Sequence, residues 1–322
     1  MKLRIINKLK ERDKNEVEKE ILDGLTSHPR SISPKYFYDA GGSRLFEGIT
    51  GLEEYYPTRT EKSILAGLGS HLELDFQDLN IVELGSGDPS KIRLLLQQIP
   101  EELRPTLHYY PVDISSTALE GSMAKLAEEF PEIEITGIVA DFMHQFDKLP
   151  KEKNRLFCFL GSTIGNLSPE ERSSFMHKLA REMKAGDHLL LGLDMVKDPQ
   201  VLHSAYNDSK QLTAAFNKNV LNVMNRMVDS SFDTSDFEHL AFYNQEEQRI
   251  EMHLKALKDR KVRVNGHQNT LDIKKGETIH TENSYKFKEE DIFSIGTIAG
   301  LNTEVVFTDE QKWFSLVLYG KQ

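Results

Sequence analysis

Gly85-Ser86-Gly87 interrupts an apolar run in "NIVELGSGDPSK" (80–91), and a helical pattern begins directly behind it. Strand, glycine turn and helix together make a cradle for a nucleotide. A dinucleotide fingerprint wants a third small residue where Ser90 stands, and Asp88 is a poor neighbour for a pyrophosphate. S-adenosylmethionine has no phosphate. Its ribose diol, amino-acid head and sulfonium cation all tolerate acids, and two further acids stand where they are needed. Asp113 ends "YYPVDIS", placed to accept both ribose hydroxyls, and Asp141 ends "IVADF", placed for the adenine amino group with Phe142 covering the ring. An ionised acceptor makes a hydrogen bond roughly twice as strong as a neutral one. A single Asp at a strand end is ordinary turn and cap chemistry. The pair, together with Glu83-Leu84-Gly85-Ser86-Gly87, points to S-adenosylmethionine as the cofactor.

The elements that must hold these residues follow from hydrophobic period. Strands are predicted at 80–85, 107–114, 134–142, 156–162 and 187–196, with "PSKIRLLLQQI", "STALEGSMAKLAEEF" and "SPEERSSFMHKLAREMK" as the helices between them. Such alternation implies right-handed crossovers and a mainly parallel sheet. "TEVVFTDEQKWFSLVLYGK" instead reads as two strands around the turn "TDEQ". A parallel α/β sheet closed by an antiparallel hairpin is the Rossmann-like class I methyltransferase fold, and dinucleotide dehydrogenases lack that ending. An amphipathic helix is predicted over 12–29, with Val17, Ile21, Leu22 and Leu25 on one side. Between 197 and 290 the rhythm breaks into an Asn-bearing helix and antiparallel strands. The expected division is residues 1–60 and 197–290 in a smaller α+β substrate-binding domain, read as a lid, with 61–196 and the final strands 291–322 in the cofactor domain.

The 51 acidic residues against 40 basic ones give a net charge of −11, which argues against a nucleic-acid partner. The single cysteine, Cys158, excludes an intrachain disulfide and a cysteine-based zinc site, and "LFCFLG" reads as its burial. No apolar run reaches the ~20 residues of a membrane span, and no signal-peptide pattern opens the chain. A cytoplasmic monomer acting on a small molecule, without metal or membrane, is the expectation.

Four long stretches complete the picture: "FYDAGGSRLFEGITGLEEYYPTRTE" (37–61), "FLGSTIGNLSP" (159–169), "RIEMHLKA" (249–256) and "TENSYKF" (281–287). With the glycine loop they make the chain resemble the histidine-specific Nα-methyltransferases of ergothioneine biosynthesis, from about residue 20 to the C-terminus. The resemblance implies methylation of the α-amino group of L-histidine, up to the trimethyl betaine hercynine. It implies cofactor contacts at Gly85, Ser86, Gly87, Lys91, Asp113, Asp141 and Phe142. Asn166 and Tyr206 are expected to hold the amino and carboxylate end of the substrate, and Gly161 to leave room for methyl groups. Glu282 and Ser284 alternate on one strand face, so a carboxylate and a hydroxyl can address the two ring nitrogens of an imidazole. Met252 is expected on the ring face. Tyr38, Phe46 and the first tyrosine of the pair Tyr55-Tyr56 are expected to line the pocket near the reacting nitrogen, physics alone not separating Tyr55 from Tyr56. The chain departs from the family pattern at Asp88-Pro89-Ser90 and at Asn283, which bears on affinity. Three other readings compete: methylation of another amino acid, a non-catalytic binder of S-adenosylmethionine and amino acids, and an α/β dehydrogenase.

Overall fold

The computed structural model describes residues 3–9, 14–72, 74–264 and 270–322. The chain divides into two compact units, one of Met1–Lys10, Pro57–Val196 and Phe287–Gln322, the other of Glu11–Tyr56 and Lys197–Lys286. In chain order the elements begin with β1 (Leu3–Asn7), α1 (Lys14–Thr26), β2 (Arg30–Ser31), α2 (Ala40–Thr50) and α3 (Tyr56–Gly67). The alternating stretch supplies β3 (Leu79–Leu84), α4 (Ser90–Gln98), β4 (His108–Asp113), α5 (Ser116–Glu129) and β5 (Glu134–Val139). It continues with β6 (Asn154–Phe159), α6 (Pro169–Glu182) and β7 (His188–Asp194). Next come α7 (Pro199–Tyr206), α8 (Leu212–Met227), β8 (Phe237–Asn244) and β9 (Arg249–Ala256). Then follow β10 (Arg260–Val262), β11 (Leu271–Ile273) and β12 (Thr278–Tyr285), and α9 (Glu289–Ala299), β13 (Asn302–Thr308) and β14 (Phe314–Gly320) finish the chain.

The first unit is built on one eight-stranded sheet of order β1-β5-β4-β3-β6-β7-β14-β13. The six strands from β1 to β7 pair in parallel, and β14 enters antiparallel between β7 and β13. This is the expected α/β architecture with its antiparallel ending. Central parallel strands are covered on both faces and read as unbroken apolar runs; β3 is buried at all six positions. Ser115 caps α5, and Ser168 with Glu171 forms a capping box on α6, so both helices start where the sequence places a hydroxyl. The hairpin turn is held by the Asp309 carboxylate, which accepts from the backbone N–H groups of Gln311, Trp313 and Phe314. Cys158 is buried, and burial pushes its thiol well above the ordinary value.

Two elements depart from the sequence expectation. Strand β1 is the edge of the main sheet, so the first residues go to the sheet unit and not with the stretch up to residue 60. "LRIIN" is five residues long and flanked by polar ones, too short for a period to show. Helix α9 was not anticipated either; it starts where Lys288 N–H donates to the Asp291 carboxylate at 2.7 Å. In the predicted helix 12–29, residues 12 and 13 lie outside the described residues, and α1 stops at Thr26, ahead of Pro29.

The second unit carries a four-stranded sheet of order β2-β12-β9-β8, antiparallel except for the short β2–β12 pair. Helix α8 packs on β8 and β9 and against α2. The asparagines of α8 are structural: Asn217 donates to the His253 carbonyl and accepts from Thr281, and Asn225 bonds both backbone groups of Phe232. Buried polar groups are paired in this way in folded proteins. No helix among the described residues is long and apolar enough to cross a membrane.

Candidate active site

In the sheet unit, β3 is the strand at which the order reverses, with β4 on one side and β6 on the other. Open α/β sheets bind ligands beyond the carboxyl end of the strand at such a switch point. The loop leaving β3 begins with Gly85 at φ +73°, where a Cβ would lie 3.4 Å from the Phe142 ring. Gly85 and Ser86 donate their backbone N–H groups to the Val112 carbonyl. The Ser86 hydroxyl oxygen is buried and has no hydrogen-bond partner among the described residues. Asp113 accepts from the Ser115 backbone N–H at 2.9 Å. Burial raises its carboxyl above the ordinary value, against the opposing backbone N–H groups of Ser115, Gly87 and Ile114. Asp141 accepts from the Met143 N–H and lies 3.0 Å from His144 Nδ1. Asp88 turns onto Ser90, where it accepts from the backbone N–H and the hydroxyl. An unpartnered buried hydroxyl, a backbone bare of Cβ under an aromatic edge, and two strand-end acids fit S-adenosylmethionine. Gly85, Ser86, Gly87, Asp113, Asp141 and Phe142 are the residues that would hold it.

Lys91 has a counterion inside the protein: its Nζ lies 2.7 Å from Oε2 of Glu61, which is wholly buried. The same carboxylate accepts from the Gly161 N–H, at 2.8 and 3.0 Å to its two oxygens. Gly161 has φ +78°, and a Cβ there would stand 2.9 Å from Lys91 Nζ. Glu61 therefore ties α3, α4 and the loop after β6 together. It closes the quoted "YYPTRTE" stretch, and its placement among apolar residues on a helix was the available signal. Asn166 ends the short turn Thr163–Asn166 in that same loop, half-buried, and its amide has no hydrogen bond to any described residue.

In the second unit the aromatic candidates form a line. Tyr38 meets Phe46 edge-on with ring centres 5.7 Å apart, Phe46 meets Tyr55 at 6.3 Å, and Tyr55 meets Tyr206 at 6.3 Å. Phe216 on α8 backs Tyr38 and Phe46. Tyr56 points elsewhere: it is completely buried, and its hydroxyl accepts from Lys197 at 2.8 Å. Neighbours on an extended segment face opposite ways, and the structure thus brings Tyr55, not Tyr56, into the line. Tyr206, at the end of α7, donates to the Ser284 hydroxyl oxygen at 2.8 Å. Glu282 pairs directly with Met252 across β12 and β9, so the two share a face. Glu282 is only 7% exposed and accepts no hydrogen bond from any described residue. Burial raises its carboxyl to about 7, opposed by the charge of Lys286. Asn283 lies on the other face, where it bonds His280 Nε2 at 2.8 Å.

Lys286 is the second residue that sequence reasoning passed over. It is 3% exposed, and its ammonium donates to Ser284 Oγ at 2.8 Å and to the Tyr206 hydroxyl at 3.2 Å. Lysine is ordinarily left outside. The alternation Glu282-x-Ser284-x-Lys286 was the signal that could have found it.

Comparison with known proteins gives the family. The family described as histidine-specific, S-adenosylmethionine-dependent methyltransferases matches residues 17–321. A histidine N-alpha-methyltransferase of Mycolicibacterium smegmatis is 42% identical over 304 residues, 94% of each chain. One of Mycobacterium tuberculosis is 40% identical over 306 residues, 95% of each chain. At greater distance, an L-tryptophan methyltransferase of Psilocybe serbica is 27% identical, covering 92% of this chain and 90% of that one. Among solved structures, a mitomycin 7-O-methyltransferase shares the fold at a TM-score of 0.50 and 11% identity, over 96% of this chain and 67% of its own. With a match that runs through both units, the chain belongs to the histidine-specific, S-adenosylmethionine-dependent methyltransferase family.

Proposed function

We propose that the protein methylates the α-amino nitrogen of L-histidine, three times in succession, to give the trimethyl betaine hercynine. The observation that carries the substrate is Glu282: a buried carboxyl with no hydrogen-bond donor among the described residues, opposite Met252 and one alternation from the Ser284 hydroxyl. A buried acid left without a partner is costly unless a ligand supplies the donor. An imidazole does so with one ring N–H, and offers its second nitrogen to a hydroxyl.

Bound S-adenosylmethionine supplies a methyl group already activated by its sulfonium, so the protein's work is to position and to desolvate. Asp113 would accept from the ribose hydroxyls, Asp141 from the adenine amino group, and Phe142 would cover the ring. Lys91, steadied by Glu61, keeps further N–H donors for the amino-acid head. Asn166 is the proposed donor to the amino and carboxylate end of the substrate, and Tyr206 on α7, whose one proton goes to Ser284, would accept from the amino group. The missing Cβ at Gly161, expected to make room for methyl groups, makes room for the Lys91 ammonium. Aromatic faces at Tyr38, Phe46 and Tyr55 suit the growing methylammonium as it forms. The attacking amine must be unprotonated, and desolvation favours the neutral amine. Every proposed contact comes from one chain, which makes the monomer the working state.

The deciding experiment incubates purified protein with S-adenosylmethionine and an equimolar mixture of the twenty amino acids, and weighs the small products. The expected result is histidine alone, gaining up to three methyl groups. Methylation of a different amino acid would retain the transfer chemistry and remove the imidazole pocket. Cofactor binding without any methylated product would leave a sensor in place of an enzyme.

A further inference from the structure

We propose that Lys286 is a specificity-determining residue that makes the Glu282–Ser284 pocket select the neutral imidazole and reject the imidazolium. The inference rests on the histidine reading and goes beyond it, to the protonation state of the ring.

A lysine ammonium only donates, whereas a serine hydroxyl has one proton and two lone pairs. Lys286 Nζ donates to Ser284 Oγ at 2.8 Å, and the Tyr206 hydroxyl donates to the same oxygen at 2.8 Å. Tyr206 is oriented in turn, because Lys286 also donates to its hydroxyl at 3.2 Å and lies 5.0 Å from its ring centre. Both lone pairs of Ser284 are then in use. What remains to Ser284 is its proton, so it can only donate to a ligand. A ring nitrogen facing Ser284 must accept, and the nitrogen facing Glu282 must carry a hydrogen. One N–H and one bare nitrogen describe the neutral imidazole. The imidazolium carries hydrogen on both and meets Ser284 with donor against donor.

Charge points the same way. Glu282 and Lys286 are both buried, and the attraction between them opposes the effect of burial on Glu282. The Lys286 ammonium thus sets a positive charge beside the carboxyl, which disfavours a second cation there. Among the described residues packed on this face, Met252 on β9 is apolar, Tyr243 on β8 pairs with Ile250, and His239 on β8 is turned onto the Tyr206 carbonyl and the Asn217 amide, with burial lowering its pKa. Without Lys286, Glu282 would be a lone buried carboxylate that prefers a cationic ring, and Ser284 would be free to accept.

The test compares two ligands that differ only in the ring: histidine and 1,2,4-triazolylalanine, whose ring stays neutral at pH 5.5. Affinities are measured by calorimetry on the full chain saturated with S-adenosylhomocysteine. Titration of Glu282 affects both ligands alike and drops out of the ratio. In the wild type, histidine should lose about tenfold in affinity relative to the triazole between pH 7.5 and 5.5, as its ring (pKa ≈ 6.5) protonates. Lys286→Met should abolish that loss, with histidine equal to or better than the triazole at pH 5.5. Lys286→Arg, still a donor-only cation, should keep the wild-type signature. A wild-type ratio constant across this range overturns the inference whether or not the Met variant folds, and so does an undiminished tenfold loss in Lys286→Met. Binding of neither ring to cofactor-loaded wild type would instead sink the histidine reading, and this inference with it.

Discussion

Each unit of this protein buries a carboxyl that titrates near neutrality, and the two are used in opposite ways. Glu83, at the end of β3 in the sheet unit, is raised to about 8 by burial. It accepts a short hydrogen bond from the Tyr109 hydroxyl, and Lys91 lies close enough to act on its charge. Glu282, in the second unit, is raised to about 7 by the same cause, yet no described residue donates to it. A buried acid with its own donor is part of the scaffold. One without a donor is a place prepared for something else. Glu61 belongs with Glu83, its two oxygens being taken by Gly161 and Lys91.

The largest effect expected from this contrast is on folding. Glu61→Ala leaves the Lys91 ammonium partly buried with no counterion, and removing one partner of a buried pair costs about 3–5 kcal/mol. Urea unfolding should show the loss, whereas Glu61→Gln, still able to accept from Gly161, should lose less. A variant as stable as the wild type would break the grouping of Glu61 with the scaffold. Next in size, Glu282→Ala should weaken histidine by about 10- to 150-fold, the equivalent of the roughly 1.5–3 kcal/mol of a hydrogen bond to a charged group. Calorimetry should find its S-adenosylhomocysteine affinity intact. Asp113→Ala should reverse the pattern, with the cofactor weakened by a similar factor and histidine unchanged at saturating cofactor. Equal losses of both ligands in either variant would erase the division of labour.

A separate effect, of pH on stability, is shared by both acids. A carboxyl whose folded pKa is raised holds its proton in the folded state after the unfolded chain has released it. Stability therefore falls as pH rises across the interval between the two values. For Glu282 that interval runs from 4.5 to about 7, and for Glu83 from 4.5 to about 8. Unfolding midpoints should decline from pH 5 to 8, and Glu83→Gln should remove the part of the slope that persists above pH 7. The smallest change in binding is expected for Asn283→Val. Asn283 bonds His280 on the face of β12 away from Glu282 and Ser284, so histidine affinity should stay within about twofold of wild type, the lost hydrogen bond costing about 1 kcal/mol of stability instead.

The same contrast explains what could be read from the sequence. The glycine turn, Asp113, Asp141 and the terminal hairpin announce themselves locally, because turn chemistry and strand period are properties of a few neighbouring residues. Tyr55 and Tyr56 do not separate until the chain is folded, when Tyr56 is turned onto Lys197. Lys286 and Glu61 stayed silent for a common reason. A charged side chain is assumed to face water, and that assumption outweighed the alternation running on past Ser284 and the place of Glu61 on its helix. Strand β1 was missed because an edge strand of five residues has too little period to stand out.

The placing of β14 also has a consequence for how the protein is made. Its pairing joins Phe314 to Asp194, so β7 is finished about 120 residues before the strand that covers its flank exists. At a synthesis rate of about 5–20 residues per second, that flank stands open for roughly 6–24 seconds on every ribosome. It is the edge of a strand with Leu189, Leu190, Leu191 and Leu193 all fully buried in the finished protein. A nascent chain with such an edge is a natural client for a chaperone. A premature stop anywhere before Phe314 would remove an interior strand and leave that edge open for good.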